Sequence, residues 1–298
     1  MKDVNPMADP DTPHPLTRYD AMCDAAAAEV IATYSTSFSL ATRLLPPRQR
    51  RDIRNLYAMV RIADEIVDGA AHSAGRDVAT TLGAYESAVL AAPDHRFHPD
   101  PVLHAYAASA RRCDFDPEHV RSFFASMRRD VTQTHHDAAS FDAYVYGSAE
   151  VIGLLCLSVF LAGREVDPAE RAEMERGART LGSAFQKINF LRDFHEDHGA
   201  LGRLYFPALQ DAPLDDALKT SLISDIRTEL DAARAAIPLL PLACRPAVAA
   251  AEALFRDLAD ALDATPAAAL AATRVRLSAH RKLLVTARAA ARVGARRG

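Results

Sequence analysis

Glycine is scarce in this chain, at 12 of 298 residues, and nowhere do apolar and polar residues alternate for the length of a strand. Tight hairpins and sheets have little to build on, while abundant alanine favours helix. The expected fold class is therefore all-α. Cysteine is rarer still: Cys23, Cys113, Cys156 and Cys244 stand far apart. They lack the paired spacing of a zinc site, and the pattern fits a reduced, cytoplasmic protein. Residues 1–15 are polar, acidic and proline-rich with no apolar core, so no signal peptide is expected. The longest apolar run, 151–162, is too short to cross a bilayer. No Gly-x-Gly-x-x-Gly fingerprint is present. The formal net charge of −4 argues against nucleic acid as the main partner. No solenoid repeat or low-complexity linker divides the chain. The expected organisation is an unstructured segment, 1–18, followed by a single domain, 19–298.

Helix boundaries are written in proline, aspartate and glycine. Asp116-Pro117 and Asp167-Pro168 each place a capping acid before a proline at the first helical position. Glu170 adds a capping-box acid to the second, and Thr265-Pro266 is a weaker case. Pro46-Pro47 opens a helix that runs to Asp68 and stops at Gly69, and Gly199 stands similarly past Asp197. Loops are expected at 91–101, 163–167 and 207–213.

Two acidic runs stand out, Asp64-Glu65-Ile66-Val67-Asp68 and Asp193-Phe194-His195-Glu196-Asp197. Each sets two aspartates four apart near a predicted helix C-terminus. The macrodipole disfavours acids there by roughly 0.3–1 kcal/mol each. Folding gains nothing from doing this twice, whereas a protein that holds divalent cations against a polyphosphate does gain, because oxygen ligands suit hard Mg²⁺. Each run also ends a longer stripe. Tyr57, Arg61, Asp64 and Asp68 fall within about 60° of one helix face, and Gln186, Asn189, Asp193 and Asp197 within about 80° of another. Apolar neighbours flank both stripes, which implies a polar lining inside a helical bundle, where such groups must be satisfied. Two facing stripes would bring four carboxylates together, and their repulsion calls for cations. Zinc on Asp193, His195, Asp197 and His198 is a weaker reading, because His195 points off the stripe. His135-His136 is expected at the surface.

Other polar groups admit two readings. The hydroxyls of Ser35-Thr36-Ser37 can cap a helix or donate to phosphate oxygens. Arg48, Arg50, Arg51 and Arg54 read as a solvated face. From Arg274 to Gly298 there are eight basic residues and no acidic ones; the stretch is a solvated helix face or a contact for anionic lipid or diphosphate.

Four stretches together resemble the squalene/phytoene synthase family: Tyr34-Ser-Thr-Ser-Phe38; Leu56-Tyr-Ala-Met-Val-Arg-Ile-Ala-Asp-Glu-Ile-Val-Asp68; Gln186-Lys-Ile-Asn-Phe-Leu-Arg-Asp-Phe-His-Glu-Asp197; and Gly202-Arg-Leu-Tyr-Phe-Pro207. The stretch from Tyr144 to Gly153 is similar to the family's central cavity-lining helix, and Arg274-Val-Arg-Leu to its late arginine segment. The resemblance implies one isoprenoid-synthase-like helical bundle around a deep cavity, joining two prenyl diphosphates head to head. It further implies Mg²⁺, with Mn²⁺ as an alternative, held by Asp64, Asp68, Asn189, Asp193 and Asp197. Ser35, Ser37, Phe38, Arg61, Gln186, Arg192, Tyr205 and Arg274 would hold diphosphate or the nearby chain, and Tyr57 and Tyr144 would line the reacting region. A cyclopropylcarbinyl diphosphate would form and rearrange, and proton loss would leave a central double bond, so NADPH is not expected.

The expected substrate is geranylgeranyl diphosphate and the expected product phytoene, in carotenoid biosynthesis. Squalene, dehydrosqualene or hydroxysqualene formation from farnesyl diphosphate is the alternative, and a non-catalytic binding or assembly role a remote one. The choice rests on the motif set and on the lack of a C-terminal anchor of the kind eukaryotic squalene synthases carry. The basic C-terminal tail suggests peripheral contact with the inner face of the cell membrane. Three features depart from the family pattern: Phe255 where a tyrosine is frequent, Glu150 where a small residue is frequent, and one residue inserted between Asp197 and Tyr205.

Overall fold

Proline and aspartate punctuate the chain much as the sequence predicts. The computed structural model describes residues 14–200 and 202–295. Its principal helices are α1 (Pro15–Tyr34), α2 (Thr36–Thr42), α3 (Pro47–Asp68), α4 (Val78–Ala91), α5 (Pro101–Cys113), α6 (Pro117–Thr132), α7 (Ala138–Leu161), α8 (Pro168–Arg192), α9 (Phe194–Ala200), α10 (Asp216–Ala236), α11 (Arg245–Asp263) and α12 (Ala279–Ala295). Asp116 accepts from Glu118 N at 2.8 Å, and Asp167 from Ala169 N at 2.9 Å, which satisfies backbone donors a helix start leaves orphaned. Thr265 caps nothing; its hydroxyl donates back to Ala261 O. Among the described residues no sheet forms, and one isolated parallel bridge joins His135 to Leu204. The fold is all-α.

The helix α7 lies at the centre. Its first half joins an apolar cluster with α8, α10 and α11 and its second half one with α3, α4, α5 and α6, while α8 runs along the second half and α6 along the π turn as well. The apolar run read as too short to span a bilayer is part of a longer helix, because α7 continues through a π turn at Tyr146–Glu150. At 24 residues it is long and apolar enough to cross a membrane by length and composition, but 61% of its apolar stretch is buried inside the bundle. It is the core helix. A Cβ at Gly153 would sit 2.3 Å from Ala178 O, and one at Gly182 2.4 Å from Ala149 O. Glycine at both positions lets the backbones of α7 and α8 touch, which fixes α8, with its polar stripe, against the central helix.

Several expectations are corrected. The segment 1–18 is not unstructured to its end: α1 begins at Pro15, and residues 1–13 lie outside the described residues. The helix expected to stop after Asp197 breaks at Asp193 (φ −97°, ψ 7°), and Gly199 falls inside α9. The ladder nearly survives the break, since Asp193 N bonds Asn189 O at 2.8 Å and Asp197 N bonds Asp193 O at 3.0 Å. His135 is exposed, but His136 is buried, its ring packed on Tyr144 and Tyr205. The start of the basic tail is a packed helix: α12 lies on α11 and α2, Arg281 pairs with Asp257 at 2.6 Å, and Lys282 donates to Thr36 at 2.6 Å. Residues 296–298 lie outside the described residues.

Candidate active site

A deep cavity opens between α2, α3, α7, α8, α10 and α11, and both polar stripes line it. Tyr57, Arg61, Asp64 and Asp68 come from α3; Gln186 and Asn189 come from α8, and Asp193 and Asp197 follow at the α8–α9 break. The helical register places them there. The buried face of α3 (Leu56, Met59, Ala63, Ile66) packs into the core, and the stripe, about 150° around the axis from that face, edges the cavity. The walls below the stripes are apolar: Ile53, Leu157, Phe160, Met174 and Leu240 line the far end. From Asn189 to Met174 the α8 axis rises about 22 Å.

Charge is balanced at the polar end by arginines. Arg61 lies 3.6 Å from Asp64, also pairs with Glu65, and stacks over the Tyr34 ring at 4.2 Å, a cation–π contact. Arg203 pairs with Asp68 at 2.7 Å. Asp193 takes Arg192 at 2.9 Å and Arg274 at 2.8 Å. Although 36% of the Asp64 side chain is accessible from the cavity, burial within the bundle pushes its carboxyl up to about 7, against the pull of Arg61 and with help from Asp68 and Glu65. Burial and then Asp193 push Asp197 up to about 7 as well. Burial likewise raises Tyr57, opposed by Arg61. Buried carboxylates crowded against one another bind protons readily unless cations take their place.

Every site residue expected from the sequence reaches this cavity except Ser37, which is half-buried and does not line it. Ser35 meets its capping reading, its hydroxyl accepting from Phe38 N at 3.3 Å to cap α2, and it also lines the cavity. Phe38, Tyr144, Arg192, Tyr205 and Arg274 line the walls, and the residue inserted before Tyr205 does not displace it. Phe255 stacks on Phe185 with centroids 3.7 Å apart, filling cavity wall with apolar surface. Glu150 does not enter the cavity; it pairs with Arg179 at 2.7 Å. His195 bonds Ala271 O at 2.7 Å, away from the aspartates.

The donor set suits a hard divalent cation. Asp64, Asp68, Asp193, Asp197 and Asn189 offer only oxygen toward one, and Asn189 Oδ1 is buried without a hydrogen-bond partner. A buried acceptor without a partner, lining the same cavity as the four aspartates, suits a cation. Among the described residues no three acidic, histidine or cysteine side chains converge on one point, and arginines pair with Asp64, Asp68 and Asp193.

Two residues of the site lay outside the sequence reading. Asp130 lines the cavity and is buried; it accepts from Tyr144 Oη at 2.6 Å and from Tyr205 Oη at 3.3 Å. Burial, opposed by the Tyr144 hydrogen bond, holds its carboxyl at about 7. Arg203, also buried, reaches Asp68 with one end and Asp130 O at 2.8 Å with the other, while its own N–H donates to Asp197 O at 2.9 Å. A signal for Asp130 exists: it continues the apolar stripe Val120, Phe123 and Met127 of α6, where a carboxylate needs a reason.

Comparison with known proteins agrees with this geometry. The squalene/phytoene synthase family model matches residues 31–281. A phytoene synthase from Paracoccus sp. is 31% identical over 252 residues, covering 77% of this chain and 79% of that protein. Phytoene synthase from Pseudescherichia vulneris is 28% identical over 256 residues, covering 78% and 80%. Phytoene synthase 3 from Zea mays is 34% identical over 197 residues, covering 63% of this chain but only 44% of that longer protein. Among solved structures, a dehydrosqualene synthase superposes with a TM-score of 0.78 at 21% identity, covering 95% of this chain and 100% of the other.

Proposed function

Given that the chain belongs to the squalene/phytoene synthase family, we propose that it is a prenyltransferase that joins two molecules of geranylgeranyl diphosphate head to head, with Mg²⁺, to make phytoene. The observation that carries this is one cavity with two facing polar stripes at its mouth and an apolar barrel beneath them. Relatives named as phytoene synthases support the product. The length of the cavity wall accommodates the chain. An extended isoprene unit spans four backbone bonds, about 4.7 Å on the scale of an extended peptide. A C20 chain then needs about 19 Å and a C15 chain about 14 Å, against the roughly 22 Å from Asn189 to Met174.

Asp64, Asp68, Asn189, Asp193 and Asp197 would hold the cations, which supply Lewis-acid charge to the departing diphosphate. The chain's own groups do the rest. Arg61, Arg192 and Arg274 are close enough to the aspartates to move from carboxylate to diphosphate oxygens as substrate arrives. The apolar walls keep water from the allylic cation. The test is a product assay: purified protein with Mg²⁺ receives geranylgeranyl or farnesyl diphosphate, with and without NADPH. A C40 hydrocarbon from geranylgeranyl diphosphate, independent of NADPH, is expected. A C30 product from farnesyl diphosphate alone would overturn the substrate.

The same reading extends to a membrane contact on the cytoplasmic side, because substrate and product are amphiphilic or lipid. On α12, Leu283 and Leu284 stand exposed beside exposed Arg288 and Arg292, the mix that favours anionic bilayer surfaces.

A further inference from the structure

A buried carboxylate beside the reacting region needs a role, and Asp130 is buried against the cavity with its hydrogen-bonding capacity spent on neighbours. Its Oδ2 accepts from Tyr144 Oη at 2.6 Å, its Oδ1 from Tyr205 Oη at 3.3 Å, and its backbone carbonyl from Arg203 at 2.8 Å. The surroundings allow little freedom. Tyr144 packs against Tyr205, the buried His136 ring lies on both, and Arg203 is pinned to Asp68.

A phenol has one proton. Once ionised, above about 7, the carboxylate can only accept, so the Tyr144 proton then points at Asp130. The remaining lone pairs on Tyr144 Oη then form the negative end of a fixed dipole on the cavity wall. We propose that Asp130 is a positioning residue that sets the polarity of Tyr144, holding its hydroxyl proton away from the cavity so that its oxygen faces the carbocation as an acceptor. This rests on the reading that the cavity ionises prenyl diphosphates. A hydroxyl free to rotate could turn its proton toward the cation and oppose it; one locked by a carboxylate stabilises developing positive charge without reorganising at the moment of reaction. Tyr205 and Arg203 hold Asp130 in place, and Arg203 ties it to the diphosphate end through Asp68.

Asp130→Asn separates this role from packing. The amide is nearly the same size, but its nitrogen donates, so Tyr144 can accept from it and turn its own proton into the cavity. The variant should keep its melting temperature to within a few degrees, bind substrate with KM little changed, and lose about 100-fold in kcat. Tyr144→Phe should lose a similar factor, and the double variant should fall no further than Tyr144→Phe alone. Wild-type kcat in Asp130→Asn, or losses that multiply in the double variant, would overturn the proposal. Should Asp130→Asn fail to fold, ultraviolet resonance Raman of wild type minus Tyr144→Phe decides. A tyrosine that donates a strong hydrogen bond supports the proposal, and one that accepts overturns it. Absence of turnover in the wild type would sink the catalytic reading instead, and the Raman measurement would still report the polarity of Tyr144.

Discussion

At the residue scale the proposed function assigns the chemistry to Asp64 and Asp193, one from each stripe. Asp64→Asn and Asp193→Asn each keep shape and remove charge, so each should lower turnover by about 100-fold or more while leaving the helical circular dichroism unchanged. Near-normal activity in either would remove that residue from the cation site. These aspartates were legible because acids repeated at helix C-termini work against the macrodipole. Asp130 was not singled out because a lone aspartate on an apolar stripe has no partner visible in sequence; Tyr144, Tyr205 and Arg203 reach it only through the fold, from 14 to 75 residues away. Ser37 failed for a related reason. Ser35 and Ser37 are two apart on a helix start, about 200° around the axis, so only one of them can face the cavity.

Helix α12 is where the element scale makes its own claim. Its inner face is fixed by Thr286 and Ala289, both buried, and its outer face offers leucines among arginines. Leu283→Ser combined with Leu284→Ser should leave the fold intact and weaken flotation with phosphatidylglycerol vesicles several-fold, as expected for two leucines that no longer bury apolar surface in lipid. Equal flotation of variant and wild type would exclude this face as the contact. The basic stretch was legible as composition, but its packing on α11 was not, because the Arg281–Asp257 pair joins residues on separate helices. Helix starts were legible for the opposite reason. Asp116-Pro117 and Asp167-Pro168 act through bonds to the next two or three residues, which sequence contains. The break at Asp193 was not legible: its carboxylate pairs with Arg274, distant in sequence, and local signals pointed four residues too late.

For the whole molecule, the cavity sets a pH dependence. In the cation-free protein Asp64, Asp130 and Asp197 stand at about 7, well above the unfolded range for aspartate of about 3.9. The folded state therefore binds more protons than the unfolded one between those limits. Stability from these groups is fully present below pH 4 and is lost as pH rises through about 7. His136, whose imidazole burial holds below its ordinary range, acts in the opposite direction but on the acid side. Protein in EDTA should thus melt at a lower temperature at pH 8 than at pH 6.5, followed by calorimetry; a melting temperature that rises over that interval would contradict these shifts. The helical fold around a cavity was legible from the two stripes, since polar lining among apolar neighbours requires an interior space. The depth of that space was not, because it depends on how Gly153 and Gly182 seat α8 on α7.

The central claim is that the two stripes together hold divalent cations against a diphosphate. Its most direct test is thermal melting of wild type, Asp64→Asn and Asp193→Asn with geranylgeranyl thiodiphosphate, in Mg²⁺ or in EDTA. At about 100-fold excess over its dissociation constant the ligand should stabilise the wild type by about 2.7 kcal/mol, or about 5 °C. That rise should require Mg²⁺ and should shrink sharply in both variants. Stabilisation of equal size in EDTA, or undiminished in either variant, would contradict the account.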